Sequence, residues 1–261
     1  MINFIRQVAK VLPDNVKAFI RKPVNYLISS ISSLGISIDL LGIKHTTDKV
    51  DHGYLQHYQT HFKNIRNKKL NILEIGVYKG ESLRLWQDYF RNGMIYGLDI
   101  EDKYCYQDKR IKIFLGDQND PSFLESVVSQ IGGIDVIIDD GSHINEHIIT
   151  SLNTLFPHLS QNGIYVIEDM HTAYLPSYGG TYKDLLSEST SIGLVKKLID
   201  SLNHQYIPEH KPTMFDENIV SIHCYPKIVF IIKGSNSNIS TVDAERVKRE
   251  LELTRKTDVG M

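Results

Sequence analysis

A chain of 261 residues, 41% hydrophobic and 23% charged with a net charge of −2, has the balance of an ordinary globular protein, large enough for one domain with an appendage. That charge gives no electrostatic basis for nucleic-acid binding, and the short basic runs "RNKKL" and "DKRIK" read as solvated surface. Two cysteines, Cys105 and Cys224, argue against a disulfide framework, lack zinc or redox spacing, and fit a reducing cytoplasm.

The first 20 residues carry Lys10 and Pro13 within their apolar pattern and lack the features of a signal peptide. Tyr26 to Ile43 is apolar but dotted with serines and interrupted by Asp39. A membrane span needs about 20 predominantly apolar residues, so no stable membrane insertion is expected. Residues 1–47 are expected to form a helical extension that acts as a lid, packs on the main domain or contacts a second copy, and a homo-oligomer is expected.

From Leu70 onward short apolar runs alternate with amphipathic segments. "LNILEIG", "MIYGLDI", "IKIFLGD", "IDVIIDD" and "GIYVIED" read as strands, nearly continuously apolar as for strands buried on both faces. "GESLRLWQDYF", "PSFLESVVSQI" and "HINEHIITSLNTLFPHL" read as the helices between them, the last with Ile144, Ile148, Leu152, Leu155 and Leu159 on one stripe. This alternation predicts an α/β fold, a doubly wound and mostly parallel sheet. "IVSIHCY" and "KIVFIIKG", separated by a turn around Pro226, predict a closing antiparallel hairpin. Between the fifth strand and that hairpin lies an insertion, Met170 to Asn218, with a helix at "SIGLVKKLIDSLNHQ". "GSNSNIS" reads as a linker to a charged C-terminal helix, so the expected domains are 1–47, 48–234 and 235–261.

In an open parallel sheet ligands bind beyond the carboxyl ends of the strands. The first strand ends "LEIGVYKGES", where Gly76 and Gly80 permit close backbone approach. Tyr78 and Glu81 occupy the second and third positions of a GxGxxG fingerprint, so a nicotinamide cofactor loses its main support. Glu74, within an apolar strand end, needs a cation or N–H donors, and loop amides would serve. Asp99 ends the second strand, where a carboxylate can accept both hydroxyls of a ribose. Asp117 and Gln118 follow the third, placed to read an adenine edge, although Asp117 and Asp120 could equally cap a helix.

These segments, with "GDQNDPSFL", "IDVIIDDGSHINEHIITSLNTLFP" and "GIYVIEDMHTAY", resemble the class I S-adenosylmethionine-dependent methyltransferases. They are most similar in pattern to the metal-dependent macrolide sugar O-methyltransferases of the mycinamicin and macrocin type, from about Asp48 to Gly234. The resemblance implies a seven-stranded Rossmann-like sheet and S-adenosylmethionine contacts from Glu74, Gly76, Asp99, Asp117 and Gln118. Gly80, Ser82 and Asp139 are taken with them, and Tyr54 and Tyr58 match a segment that closes over the cofactor.

Asp140 ends the fourth strand and Glu168 and Asp169 the fifth; neighbouring strands lie about 4.8 Å apart, so three carboxylates can converge. A hard divalent cation would neutralise them, and the resemblance implies Mg²⁺ on Asp140, Glu168 and Asp169 with His143 as general base. The competing assignment makes Asp140 or Ser142 a helix cap and the other acids surface salt-bridge partners. His147 lies one turn beyond His143, but oxygen-rich surroundings disfavour a zinc pair; Tyr174, Tyr178 and Tyr182 could line an acceptor pocket or simply pack the loop. The expected activity is Mg²⁺-dependent O-methylation of a small-molecule acceptor, a sugar or glycosylated natural product, with a catechol-like or polysaccharide acceptor as alternative. A non-catalytic cofactor-binding assembly subunit is the reading from another class.

Overall fold

The computed structural model describes residues 37–207, 209–236 and 241–258, with side chains from 243 to 252 in the last segment. The helices expected over residues 1–36 and most of the linker at 237–240 lie outside the described residues. Seven strands follow the order β3-β2-β1-β4-β5-β7-β6, the doubly wound arrangement predicted from the alternating pattern. The chain divides into two compact units, one up to Gly116 and one from Asp117.

In the first unit β1 (Asn71–Ile75), β2 (Met94–Asp99) and β3 (Ile111–Leu115) run parallel, with Glu74 opposite Gly97 and Asp99 opposite Leu115. Ile72, Leu73, Ile75, Ile95 and Leu98 are buried, as continuous apolar runs require. β3 departs from that pattern: Lys112 is exposed between buried Ile111 and Ile113, because an end strand presents one face to water. Helices α1 (Ile38–His45), α2 (Leu55–Phe62) and α3 (Glu81–Tyr89) accompany these strands. Tyr58 and Phe62 of α2 pack on Trp86 of α3, with ring centroids 4.8 and 5.8 Å away.

In the second unit α4 (Pro121–Ile131) spans the predicted residues, with Pro121 in its first turn and Asp120 accepting from the N–H groups of Ser122 and Phe123. β4 (Ile134–Asp139) and β5 (Leu159–Ile167) are parallel. Between them α5 covers only Asn145–Leu155. His143 lies before it in a left-handed turn, and Pro157 stops the helix, so Leu159 of the predicted stripe opens β5 instead. α6 (Ser191–Ser201) and α7 (Met214–Asn218) follow, then β6 (Ile219–Tyr225) and β7 (Ile228–Lys233), an antiparallel hairpin whose β7 pairs with β5. α8 (Thr241–Asp258) is the charged C-terminal helix. Among the described residues no helix is long and apolar enough to cross a membrane.

Candidate functional site

Within the first unit the β1–α3 turn needs unusual backbone. Gly76, Tyr78 and Gly80 have φ of 90°, 48° and 69°, left-handed values that glycine adopts freely and tyrosine does not. Asp99 faces this turn: its Oδ2 accepts from the N–H groups of Val77 (2.9 Å) and Tyr78 (3.2 Å), and its Oδ1 from that of Glu101 (2.9 Å). A carboxylate has about four lone-pair sites, so Asp99 keeps capacity for a ligand hydroxyl. Gly80 is required by the protein itself, since a Cβ there would come within 2.8 Å of the Tyr106 ring.

Glu74 is fully buried, and its partners are a cation and N–H and O–H donors. Ser82 Oγ donates to Oε2 at 2.7 Å, Trp86 Nε1 donates to Oε1 at 3.1 Å, and Lys49 Nζ lies 3.4 Å from Oε1. Lys49, itself 1% exposed, was not singled out in the sequence. A strand-borne glutamate announces that a cation is needed, but not which of many lysines tertiary packing will bring. Tyr54 and Tyr58 are buried, Tyr54 beside His52 and Tyr58 in the aromatic cluster with Trp86.

Within the second unit the loops after β4 and β5 bring Asp140, His143 and Asp169 together, with one ligand atom from each all within 4.8 Å of one another. His143 Nε2 is 3.6 Å from Asp169 Oδ2, and His171 Nδ1 is 3.9 Å from Asp169 Oδ1. His143 (φ 58°) and Asp169 (φ 50°) both hold left-handed backbones, which are disfavoured for residues with a Cβ and cluster at functional sites. Glu168, the neighbour of Asp169, is 2% exposed and outside this three-residue cluster. His147 points elsewhere for its partner: Nδ1 is 2.9 Å from Ser142 Oγ, which also accepts from the Ile144 N–H.

Beneath the cluster Asp139 is buried, and burial pushes its carboxyl up to about 6 against the lowering effect of hydrogen bonds from Ser151 and Gln118 and the charge of His143. Ser151 Oγ and Tyr165 OH donate to Asp139 Oδ2. Gln118 donates from Nε2 to Asp139 Oδ1 at 3.2 Å and accepts the Ser142 N–H at 2.8 Å, linking the strand end to the turn that carries His143. Asp117 accepts from the Asn119 N–H at 2.8 Å, a local turn contact. Tyr174 and Tyr182 are exposed and Tyr178 half-buried in the insertion after Asp169. Ser151 and Asn145, both buried, were missed in the sequence; the available signal was two small polar residues at stripe spacing on the buried face of α5.

A seven-stranded sheet of this order with a reversed last hairpin is the class I methyltransferase fold. The chain is a homologue of the macrolide sugar O-methyltransferases. It is 47% identical over 196 residues to demethylmacrocin O-methyltransferase of Streptomyces fradiae, covering 71% of this chain and 50% of that protein. It is 46% identical over 195 residues to mycinamicin VI 2''-O-methyltransferase of Micromonospora griseorubida, covering 71% and 49% respectively. Among solved structures it is similar to the MycE methyltransferase of the mycinamycin biosynthetic pathway, determined in complex with Mg, SAH and mycinamycin VI. That match has a TM-score of 0.75 at 44% identity and covers 79% of this chain and 56% of that one. The chain therefore spans about half the length of the curated relatives it matches. No family model matches the chain.

Proposed function

We propose that this chain is a Mg²⁺-dependent O-methyltransferase that moves a methyl group from S-adenosylmethionine to a hydroxyl of a sugar or glycosylated natural product. The observation that carries the proposal is the cluster of Asp140, His143 and Asp169, whose ligand atoms lie within 4.8 Å of one another. Two carboxylates held so close repel unless a cation neutralises them, and hard oxygen donors suit Mg²⁺. The chemistry named for the homologous enzymes supports the same assignment.

In this proposal Asp140 and Asp169 would hold the cation, and Glu168, buried at the same strand end, would be a further oxygen donor. Mg²⁺, when bound, would supply positive charge that makes a nearby acceptor hydroxyl more acidic, and S-adenosylmethionine would supply the methyl group. His143 removes the hydroxyl proton, and Asp169 beside it offsets the charge the imidazole then carries. Asp139 and Gln118 hold the turn that carries His143 in place. In the first unit Asp99 takes the ribose hydroxyls on the capacity its backbone donors leave, and Gly76 lets the main chain approach the cofactor. Transfer leaves S-adenosylhomocysteine and a methyl ether. We extend the proposal to residues 48–234 as the methyltransferase domain and to a homo-oligomer. A cytoplasmic setting is in keeping with the two free, exposed cysteines.

The test is a screen with methyl-labelled S-adenosylmethionine and Mg²⁺, offering glycosylated macrolides and, separately, simple catechols. Label on a sugar hydroxyl is the expected result. Transfer to catechols alone would refute the sugar assignment, and transfer unaffected by chelation would refute the metal.

A further inference from the structure

The insertion that follows Asp169 has little regular structure of its own. It makes short helical turns at Met170–Tyr174 and Pro176–Tyr178 and reaches α6 only at Ser191. Its first part is closed on itself: the N–H of Gly180 bonds to the carbonyl of Leu175 and that of Thr181 to the carbonyl of Ala173, both at 3.0 Å. Gly180 is needed for this closure, since a Cβ there would come within 2.5 Å of the Ala173 carbonyl oxygen. The closed turn and the start of α6 meet at one side chain from another element. Asn145, the first residue of α5 and two residues beyond His143, is 1% exposed. Its Nδ2 donates to the Tyr178 carbonyl at 2.9 Å, and its Oδ1 accepts from the Ser191 N–H at 2.7 Å and the Ser191 hydroxyl at 3.0 Å. The network fixes the orientation of the amide, because the opposite flip would set an NH₂ group against the Ser191 N–H.

Both sides of this amide therefore have work that no other side chain of similar size can do at once. An aspartate accepts but does not donate, and a leucine does neither. The points it joins are 13 residues apart in the chain, Tyr178 and Ser191, and it ties both to the helix that begins just after His143. The insertion so held carries Tyr174, Leu175 and Tyr182, each exposed, downstream of Asp169. We infer that Asn145 is a positioning residue that registers the acceptor-facing insertion against the turn bearing the general base. The acceptor and general-base roles rest on the function proposed above; the tie itself does not.

The experiment compares the full chain as wild type, Asn145→Ala and Asn145→Asp. Amide exchange followed by mass spectrometry, without ligand, reads the tie directly. In Asn145→Ala the segment 176–191 should exchange at least about tenfold faster while β4 stays protected. In Asn145→Asp, isosteric and still able to accept from Ser191, the loss should be confined to the turn around Tyr178. Unchanged exchange over 176–191 in Asn145→Ala would overturn the inference. Methyl transfer to mycinamicin VI, with S-adenosylmethionine and Mg²⁺, reads the consequence. The KM for the acceptor should rise about tenfold, with the KM for S-adenosylmethionine unchanged. If both constants move together, Asn145 is merely structural and the positioning role is overturned. If wild type transfers no methyl group to any offered acceptor, the functional reading fails, and with it the acceptor role, while the exchange arm still decides the tie.

Discussion

His143 Nε2 stands 3.6 Å from Asp169 Oδ2, and both residues hold left-handed backbones, at φ 58° and 50°. An imidazole and a carboxylate are thus aimed at one another by two turns that most side chains would resist. That geometry separates what a substitution does to chemistry from what it does to folding.

His143→Asn should fold normally, because asparagine tolerates the left-handed region, and should bind S-adenosylhomocysteine with wild-type affinity. Its single-turnover methyl transfer should be slower by about 10²–10⁴-fold, the usual loss for a general base. A rate within threefold of wild type would remove His143 from the mechanism.

Asp140→Asn should fail differently. A neutral amide attracts a cation less than a carboxylate, so the Mg²⁺ concentration for half-maximal rate should rise while the rate at saturating Mg²⁺ partly recovers. Titrating Mg²⁺ against transfer rate checks this, and an unchanged midpoint would return Asp140 to a structural role.

Asp99→Ala should weaken S-adenosylhomocysteine binding by about 1.5–3 kcal/mol, the scale of a lost hydrogen bond to a charged group. It also strips the N–H groups of Val77, Tyr78 and Glu101 of their acceptor, so the turn should exchange its amides faster. Calorimetry that finds unaltered affinity would remove Asp99 from the site.

Lys49→Met removes the ammonium that lies 3.4 Å from the buried Glu74 carboxylate and should destabilise the chain by about 3–5 kcal/mol. Adding Glu74→Gln should restore much of that loss, since the uncompensated charge is then gone. Urea unfolding of the two singles and the double measures the coupling; additive losses would show that the pair is not coupled.

Asp88 carries a smaller, pH-dependent share of stability. Burial alone would raise its carboxyl, but hydrogen bonds and charge from His45 and Lys44, at 2.8 and 2.6 Å, hold it at about 2. A depressed carboxylate stabilises the fold above its unfolded value of 3.8 and loses that contribution as pH falls toward 2. The stability gap between wild type and Asp88→Asn should be about 1 kcal/mol at pH 6, reduced by screening at this partly exposed pair, and should shrink from pH 4 downward. A gap that widens on acidification would reverse the assignment.

What the sequence disclosed, it disclosed through local pattern. Pro121 to Ile131 was legible to the residue because a capping aspartate, a first-turn proline and a trailing glycine all bracket it. The hairpin of β6 and β7 was legible because two residues cannot bridge parallel strands. Asp140 and Asp169 could be grouped because strand ends in a parallel sheet converge, although Glu168, grouped with them by the same argument, lies outside the cluster. The partners of Glu74 and Asn145 could not be read in this way. Lys49 is 25 positions from Glu74 and Ser191 is 46 from Asn145, and no periodicity encodes which distant group will fill a buried polar vacancy. Gln118, placed by the sequence near a ligand, also has its amide bonded to Asp139 and the Ser142 N–H, contacts that local pattern could not supply.

Asp99 is gripped before any ligand arrives, with the Val77 and Tyr78 amides on one oxygen and the Glu101 amide on the other. Its rotamer is therefore frozen when the chain folds, and association with a pair of hydroxyls loses little side-chain entropy there. If Asp99 takes a ligand's hydroxyls as proposed, recognition at the end of β2 is of a lock-like kind. Free and loaded forms should share one backbone through Gly76–Gly80, and ligands that need a wider turn should be refused rather than accommodated.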